Sequence, residues 1–265
     1  MNDIITDALN KDSAGLLNKA YDDMVHPTAK AIGAMISYPF RGMRALCGKY
    51  EKWLINSEES LRIVGDAVHK KMKYVPPEKQ CVPEAYVAIP TMQQICLSQD
   101  SEELRDMYAN LLAASMNTDT KDKVLPGFVN VRGQLSPDEA KLLKFMYEKT
   151  SIPALHVRIK KDKENNKEYI TALDCFVVLP KKLLDVHKNL NLYLGNLQRL
   201  QLISIDYGNQ LTGREKEYTT LIDLFRKNAA RDEFLKDKYF IFHGEVLEIT
   251  YFGFSFAQVC LGNQQ

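Results

Sequence analysis

The 265-residue chain predicts a mainly α protein with an α/β C-terminal part. Three observations carry that prediction. Two helices with strong start signals flank a connector in SEELRDMYANLLAASMNTDTKDKVLPGFVNVRGQLSPDEAKLLKFMY, residues 101–147. Residues 1–80 read as helices broken by prolines and glycines. Beyond residue 150 short β-rich runs alternate with helical ones. The organisation that follows is a helical N-terminal region (1–80), a central helical region (81–150) and a mixed α/β region (151–265). With 45% hydrophobic residues, 26% charged and a formal charge of +1, the chain is composed as a soluble globular protein with a sizeable core, in one large or two smaller domains.

In the first region, AKAIGAMISYPFRGMRALCGKYEKW (Ala29 to Trp53) is rich in small and apolar residues. Between residues 26 and 56 five cations, Lys30, Arg41, Arg44, Lys49 and Lys52, face one anion, Glu51. Two readings fit: a kinked helical pair packed on the rest of the protein, or an interfacial segment. In the second, Phe40, Leu46 and Trp53 enter a membrane surface or partner while Arg41 and Arg44 meet anionic groups. Pro39 argues against one straight helix. The next segment, SEESLRIVGDAVHKKMKY, reads as a helix ending at Pro76-Pro77.

Pro83 and Pro90 then mark expected breaks before Ser101, which caps the next helix, with Glu102 and Glu103 where the helix dipole favours negative charge. Leu104, Met107, Tyr108, Leu111, Leu112 and Ser115 share one helical face, which predicts core. Pro126 and Gly127 punctuate a connector of fixed shape, with Phe128 and Val129 read as buried anchors. Ser136-Pro137-Asp138-Glu139 opens the second helix with a capping box and a proline where its missing N–H costs nothing.

In the last region LDCFVVLP (173–180) and LISIDY (202–207) read as strands, and EVLEITY (245–251) alternates with Leu247, Ile249 and Tyr251 on one side. KKDKENNKE (160–168) reads as a solvated hairpin tip. A helix over NLYLGNLQRLQ, with Leu190, Leu194 and Leu197 on one face, runs directly into LISIDY; with the capped helix before it, this order resembles a winged helix-turn-helix. Thr250-x-x-Gly253-x-x-Phe256 reads as the strand-to-helix turn that closes it. As a nucleic-acid reader the helix offers Lys188, Asn191, Asn196, Gln198 and Arg199, but no basic stripe to neutralise phosphates, so protein contact or dimerisation is favoured over DNA.

The early YDDMVHPTAKAIG (Tyr21 to Gly33), the central ELRDMYANLLAASMNTDTKDKVLPGFV and LSPDEAKLLKFM, and the closing LEITYFGFSFAQVCL resemble the Abi-alpha family, a bacterial domain of unknown function named for abortive infection. The resemblance runs nearly the length of the chain. It implies a role in defence against phage and carries no catalytic residues across.

Enzymatic signatures fail on spacing or context. Gly42-MRALC-Gly48-Lys49 has one residue too many for a phosphate loop, and Tyr50 stands where Ser or Thr should follow the lysine. Gly253-Phe-Ser255-Phe-Ala257 resembles a nucleophile elbow without its second glycine, in apolar surroundings that predict a buried turn. Five scattered cysteines and five scattered histidines form no metal-ligand spacing, so no metal or cofactor is expected, and the thiols suit a reducing cytosol. Arg62 and His69, seven residues apart on one helix, resemble the spaced Arg and His of the HEPN ribonucleases; there His would act as general base or acid and Arg would stabilise phosphate charge. Apolar Ile63 follows the arginine where a polar residue is usual, and a surface helix with ordinary cations is the plainer reading. The start MNDIITDALNKDSAG lacks a secretory n-region, and no apolar run approaches the ~18–20 residues that span a bilayer. The sequence therefore predicts a cytoplasmic protein, peripheral at the inner membrane if the segment around Phe40 touches lipid. It acts by contact with a protein partner, with itself or with a membrane surface; a ribonuclease and a DNA-binding regulator are the rival readings.

Overall fold

The structure, a computed structural model, describes residues 51–97, 101–160, 169–236 and 238–262. Phe40, Arg41, Arg44 and Leu46 lie outside the described residues, as does the rest of the chain before residue 51. Trp53 falls in the first turn of a described helix. The chain forms two compact units: one takes the residues up to Pro137 together with those from Gln258 onward, the other runs Asp138–Ala257.

The first unit is helical. Helix α1 (Glu51–Met72) buries Leu61, Val64, Val68 and Met72, a spacing of three and four that lines one face. That face meets Met92 and Ile95 of α2 (Ala85–Leu97) and Tyr108, Ala109, Leu112 and Ala113 of α3 (Glu102–Ser115). Pro90 does not break the chain: α2 runs through it. A proline inside a helix forfeits one hydrogen bond and costs about 3 kcal/mol or more. Burial of Val87, Ala88, Met92 and Ile95 around it offsets that cost, and the Thr91 hydroxyl donates to the Val87 carbonyl oxygen at 2.6 Å. Context overrides propensity here.

Helix α3 starts where its cap requires, with Ser101 Oγ accepting from Leu104 N at 3.3 Å. All six residues of its predicted face are buried, and so are Ala109, Asn110, Ala113 and Ala114 between them, so from Met107 onward the helix is enclosed on every side. Small residues on the remaining faces allow that enclosure. The connector after it folds into α4 (Gly127–Gly133), with Phe128 and Val129 fully buried.

The second unit is built on a four-stranded antiparallel sheet of order β2-β1-β4-β3, with β1 Ser151–Lys160, β2 Tyr169–Phe176, β3 Ile203–Tyr207 and β4 Phe240–Ile249. Helix α5 (Pro137–Lys149) leads in, α6 (Leu190–Arg199) precedes β3, α7 (Glu215–Ala229) links β3 to β4, and α8 (Tyr251–Cys260) follows. Adjacent strands pair directly: His156 stands opposite His243, Ala154 opposite Glu245, and Tyr207 opposite Glu245 on its other side. One sheet face packs on α7, where Phe225 meets Phe176, Phe240 and Phe242 with ring centroids 5.3, 5.1 and 5.6 Å apart, all edge to face.

Two of the strand readings end differently from the sequence pattern. Strand β4 stops at Ile249, and Tyr251 opens α8 almost wholly exposed. Strand β2 stops at Phe176, before the apolar VVLP. Thr250 sets the first boundary: its hydroxyl donates to Gln201 O and accepts from Gly253 N at 2.8 Å, capping α8. A Cβ at Gly253 would overlap the Leu202 carbonyl oxygen, so only glycine fits.

Candidate functional site

On the sheet face away from α7, strand parity brings five polar side chains to one end. His156 and Arg158 come from β1, His243 and Glu245 from β4, and Tyr207 from the end of β3. A bulge between Leu155 and Arg158 in the pairing of β1 with β2 brings the Asp174 carbonyl within reach of His156. The group grades inward: Tyr207 is 58% exposed, His156 is buried, and Glu245 is 0% exposed.

The hydrogen bonds assign the imidazole tautomer. Arg158 Nε, which can only donate, lies 3.0 Å from His156 Nε2, so Nε2 accepts and the ring proton sits on Nδ1. From there it faces Asp174 O at 3.3 Å and Glu245 Oε1 at 3.5 Å. Neither Glu245 oxygen accepts a hydrogen bond. Burial pushes the Glu245 carboxyl up to about 7; the Asp174 carboxylate adds to the rise and Arg158 offsets part of it. Burial and the nearby Glu245 also raise the Tyr207 hydroxyl, and burial pushes the neighbouring Cys175 thiol up to about 12, which makes it inert. The Glu245 carboxyl thus stands 3.5 Å from the imidazole with no hydrogen bond between them. With Glu245 enclosed, what it governs directly is the charge inside the sheet. Among the described residues no three His, Cys, Asp or Glu side chains converge as metal ligands would.

A family model described as abortive infection alpha matches residues 56–260. The chain belongs to that family. No curated protein and no solved structure matches it.

Within this abortive infection alpha chain the residues singled out in the sequence fall at separate places. Arg62 and His69 are both exposed on α1, and the Arg62 guanidinium is held by Glu59 at 2.6 Å and Asp66 at 3.2 Å. Lys188, Asn191 and Arg199 are exposed on α6 or the turn before it. Asn196 points inward, donating to the buried Glu139 carboxylate at 2.7 Å, and its oxygen accepts from Arg199. Among the described residues no helix is long and apolar enough to cross a membrane.

Sequence reasoning passed over His156, Arg158, Tyr207 and Glu245. One signal was present. Glu245 has the same strand parity as Leu247, so an alternation that buries Leu247 buries Glu245 with it. The partner histidine could not be found that way, because β1 carries Leu155, Val157 and Ile159 on one face and Ile152 and Ala154 on the other, and reads as a strand buried throughout.

Proposed function

We propose that this member of the abortive infection alpha family is an antiphage defence protein of the abortive type, acting by contact rather than catalysis. The family match over residues 56–260 is the observation that carries the defence reading. Contact is supported by the outward face of α6, where Leu192 is 71% exposed between Lys188, Gly195 and Arg199. A large apolar side chain at the centre of that face suits a protein surface better than base edges or phosphates, and Asn196, engaged with Glu139, is withdrawn from any reading of bases. The order of α5, α6 and β3 supports a winged-helix-like arrangement used for protein contact. The cytoplasm, with peripheral attachment at the inner membrane through the segment around Phe40, is the compartment this reading requires.

A ribonuclease based on Arg62 and His69 is the weaker reading, since the guanidinium that would meet phosphate already bonds two carboxylates. The deciding experiment is a phage challenge of bacteria expressing the protein. Protection at low phage dose with collapse of the culture at high dose is the expected result. Survival of the infected cells themselves at high dose would sink the abortive reading, and loss of protection in a folded His69→Ala variant would replace contact with catalysis.

A further inference from the structure

The second unit holds a pocket of about 350 Å³ where the end of α7, the turn after it and the start of β4 meet. Arg226, Lys236 and Lys238 line it together with Tyr239, Phe240 and Phe242. Among the described residues no acidic side chain lines it and no ion pair holds any of the three cations. Arg226 lies over the Phe242 ring at 5.4 Å, which keeps its guanidinium against the aromatic floor. The place of Arg226 in the last turn of α7 complements the carbonyl end of the helix. Lys236 and Lys238 stand on the turn beyond, where the Lys238 ammonium lies over the Phe234 ring at 5.4 Å.

We propose that this pocket binds a nucleotide, its phosphate on the cations and its planar ring against the aromatic side chains. The chemistry is complementary at both ends. Arginine and lysine donate charge-assisted hydrogen bonds to phosphate oxygens. A nearly half-exposed Tyr239 and the partly exposed Phe240 and Phe242 offer ring surface on which a base can lie, and stacking of this kind tolerates any base. The volume stands at the lower end of the range for small-molecule sites, about 300–1,000 Å³, which suits one nucleotide rather than two. The floor is preformed: Phe240 and Phe242 are fixed from behind by the buried Phe225. The site is separate from the α6 face, so a small ligand here would act alongside partner contact.

The nucleotide has two sources, a free molecule or an unstacked unit of a single strand, and titration calorimetry on the full chain separates them. The probes are adenosine monophosphate, adenosine, inorganic phosphate and a short 5′-phosphorylated single-stranded oligonucleotide. Saturable binding of adenosine monophosphate, with adenosine and phosphate each weaker by about tenfold or more, is expected. Lys236→Gln and Lys238→Gln each weaken it by about tenfold, and Tyr239→Leu weakens it several-fold without changing phosphate binding. All three side chains are exposed, so unchanged circular dichroism and melting verify the fold of each variant. Binding by the mononucleotide but not the oligonucleotide assigns a free ligand; competition between them, or oligonucleotide binding that Tyr239→Leu abolishes, assigns a strand. The proposal fails if neither binds, if inorganic phosphate binds as tightly as the mononucleotide, or if the double lysine variant binds undiminished.

Discussion

Glu245 couples stability to pH through one buried proton. Its folded pKa of about 7 lies above the ordinary carboxylate value, so between those two points the unfolded chain has released a proton that the folded chain keeps. Stability therefore falls as pH rises through that window and levels off above neutrality, by an amount on the order of 2–3 kcal/mol. Glu245→Gln should remove this slope and leave the variant more stable than the parent at pH 8; equal melting-temperature profiles from pH 5 to 8 would refute the assignment. Asp138 acts in the opposite sense. Burial raises its pKa, but the backbone N–H groups of Asp185 and Val186, both at 2.9 Å, with the Tyr193 hydroxyl and Lys141, outweigh that and lower it overall. Its contribution is present near neutrality and is lost as pH falls through the depressed folded value. Asp138→Ala should cost about 1–2 kcal/mol in urea unfolding at pH 7, since two partly buried N–H groups and the Tyr193 hydroxyl lose their acceptor.

Among the elements, those with local end signals were the ones legible beforehand. The Ser101 cap, the buried Phe128 and Val129 and the Thr250–Gly253 turn all stand where residue chemistry places them. Gly253→Ala tests the last of these: with the Leu202 carbonyl in the way, a loss of about 2–3 kcal/mol is expected in thermal or urea unfolding, whereas an alanine at the unobstructed helical Gly195 should gain about 0.5–1 kcal/mol. Pro90 misled because the burial that offsets it comes from neighbours distant in sequence. For the same reason strand β1 and helix α7 were not read from the sequence. Leu155 and Val157 find their partners on α7, more than fifty positions away, and window patterns do not reach that far. The polar cluster was less legible than the fold, because His156 and Glu245 meet only through a strand pairing.

For the whole molecule, a contact mechanism makes the α6 face the place where function and stability separate. Leu192→Asp should leave the melting temperature within a few degrees of the parent while abolishing protection at low phage dose. A fully protective Leu192→Asp variant would move the search for the contact elsewhere. Both units carry their own buried cluster, one around Tyr108 and Leu112, the other around Phe225. The first also encloses Arg132, 1% exposed, stacked over Tyr108 at 3.9 Å and lowered to about 10 by burial.

Asn110 Nδ2 donates to the carbonyl of Cys260, a hydrogen bond across 150 positions, and Val259 and Cys260 are buried with it in the first unit. That unit is thus complete only when chain from beyond the whole of the second has been made. On a ribosome adding about 5–20 residues per second, roughly 8–30 s separate the synthesis of the two partners. The second unit is continuous in sequence and has all its strands in hand first. Through that interval the nascent α3 waits with an open side and with the Asn110 amide lacking the acceptor that Cys260 later supplies.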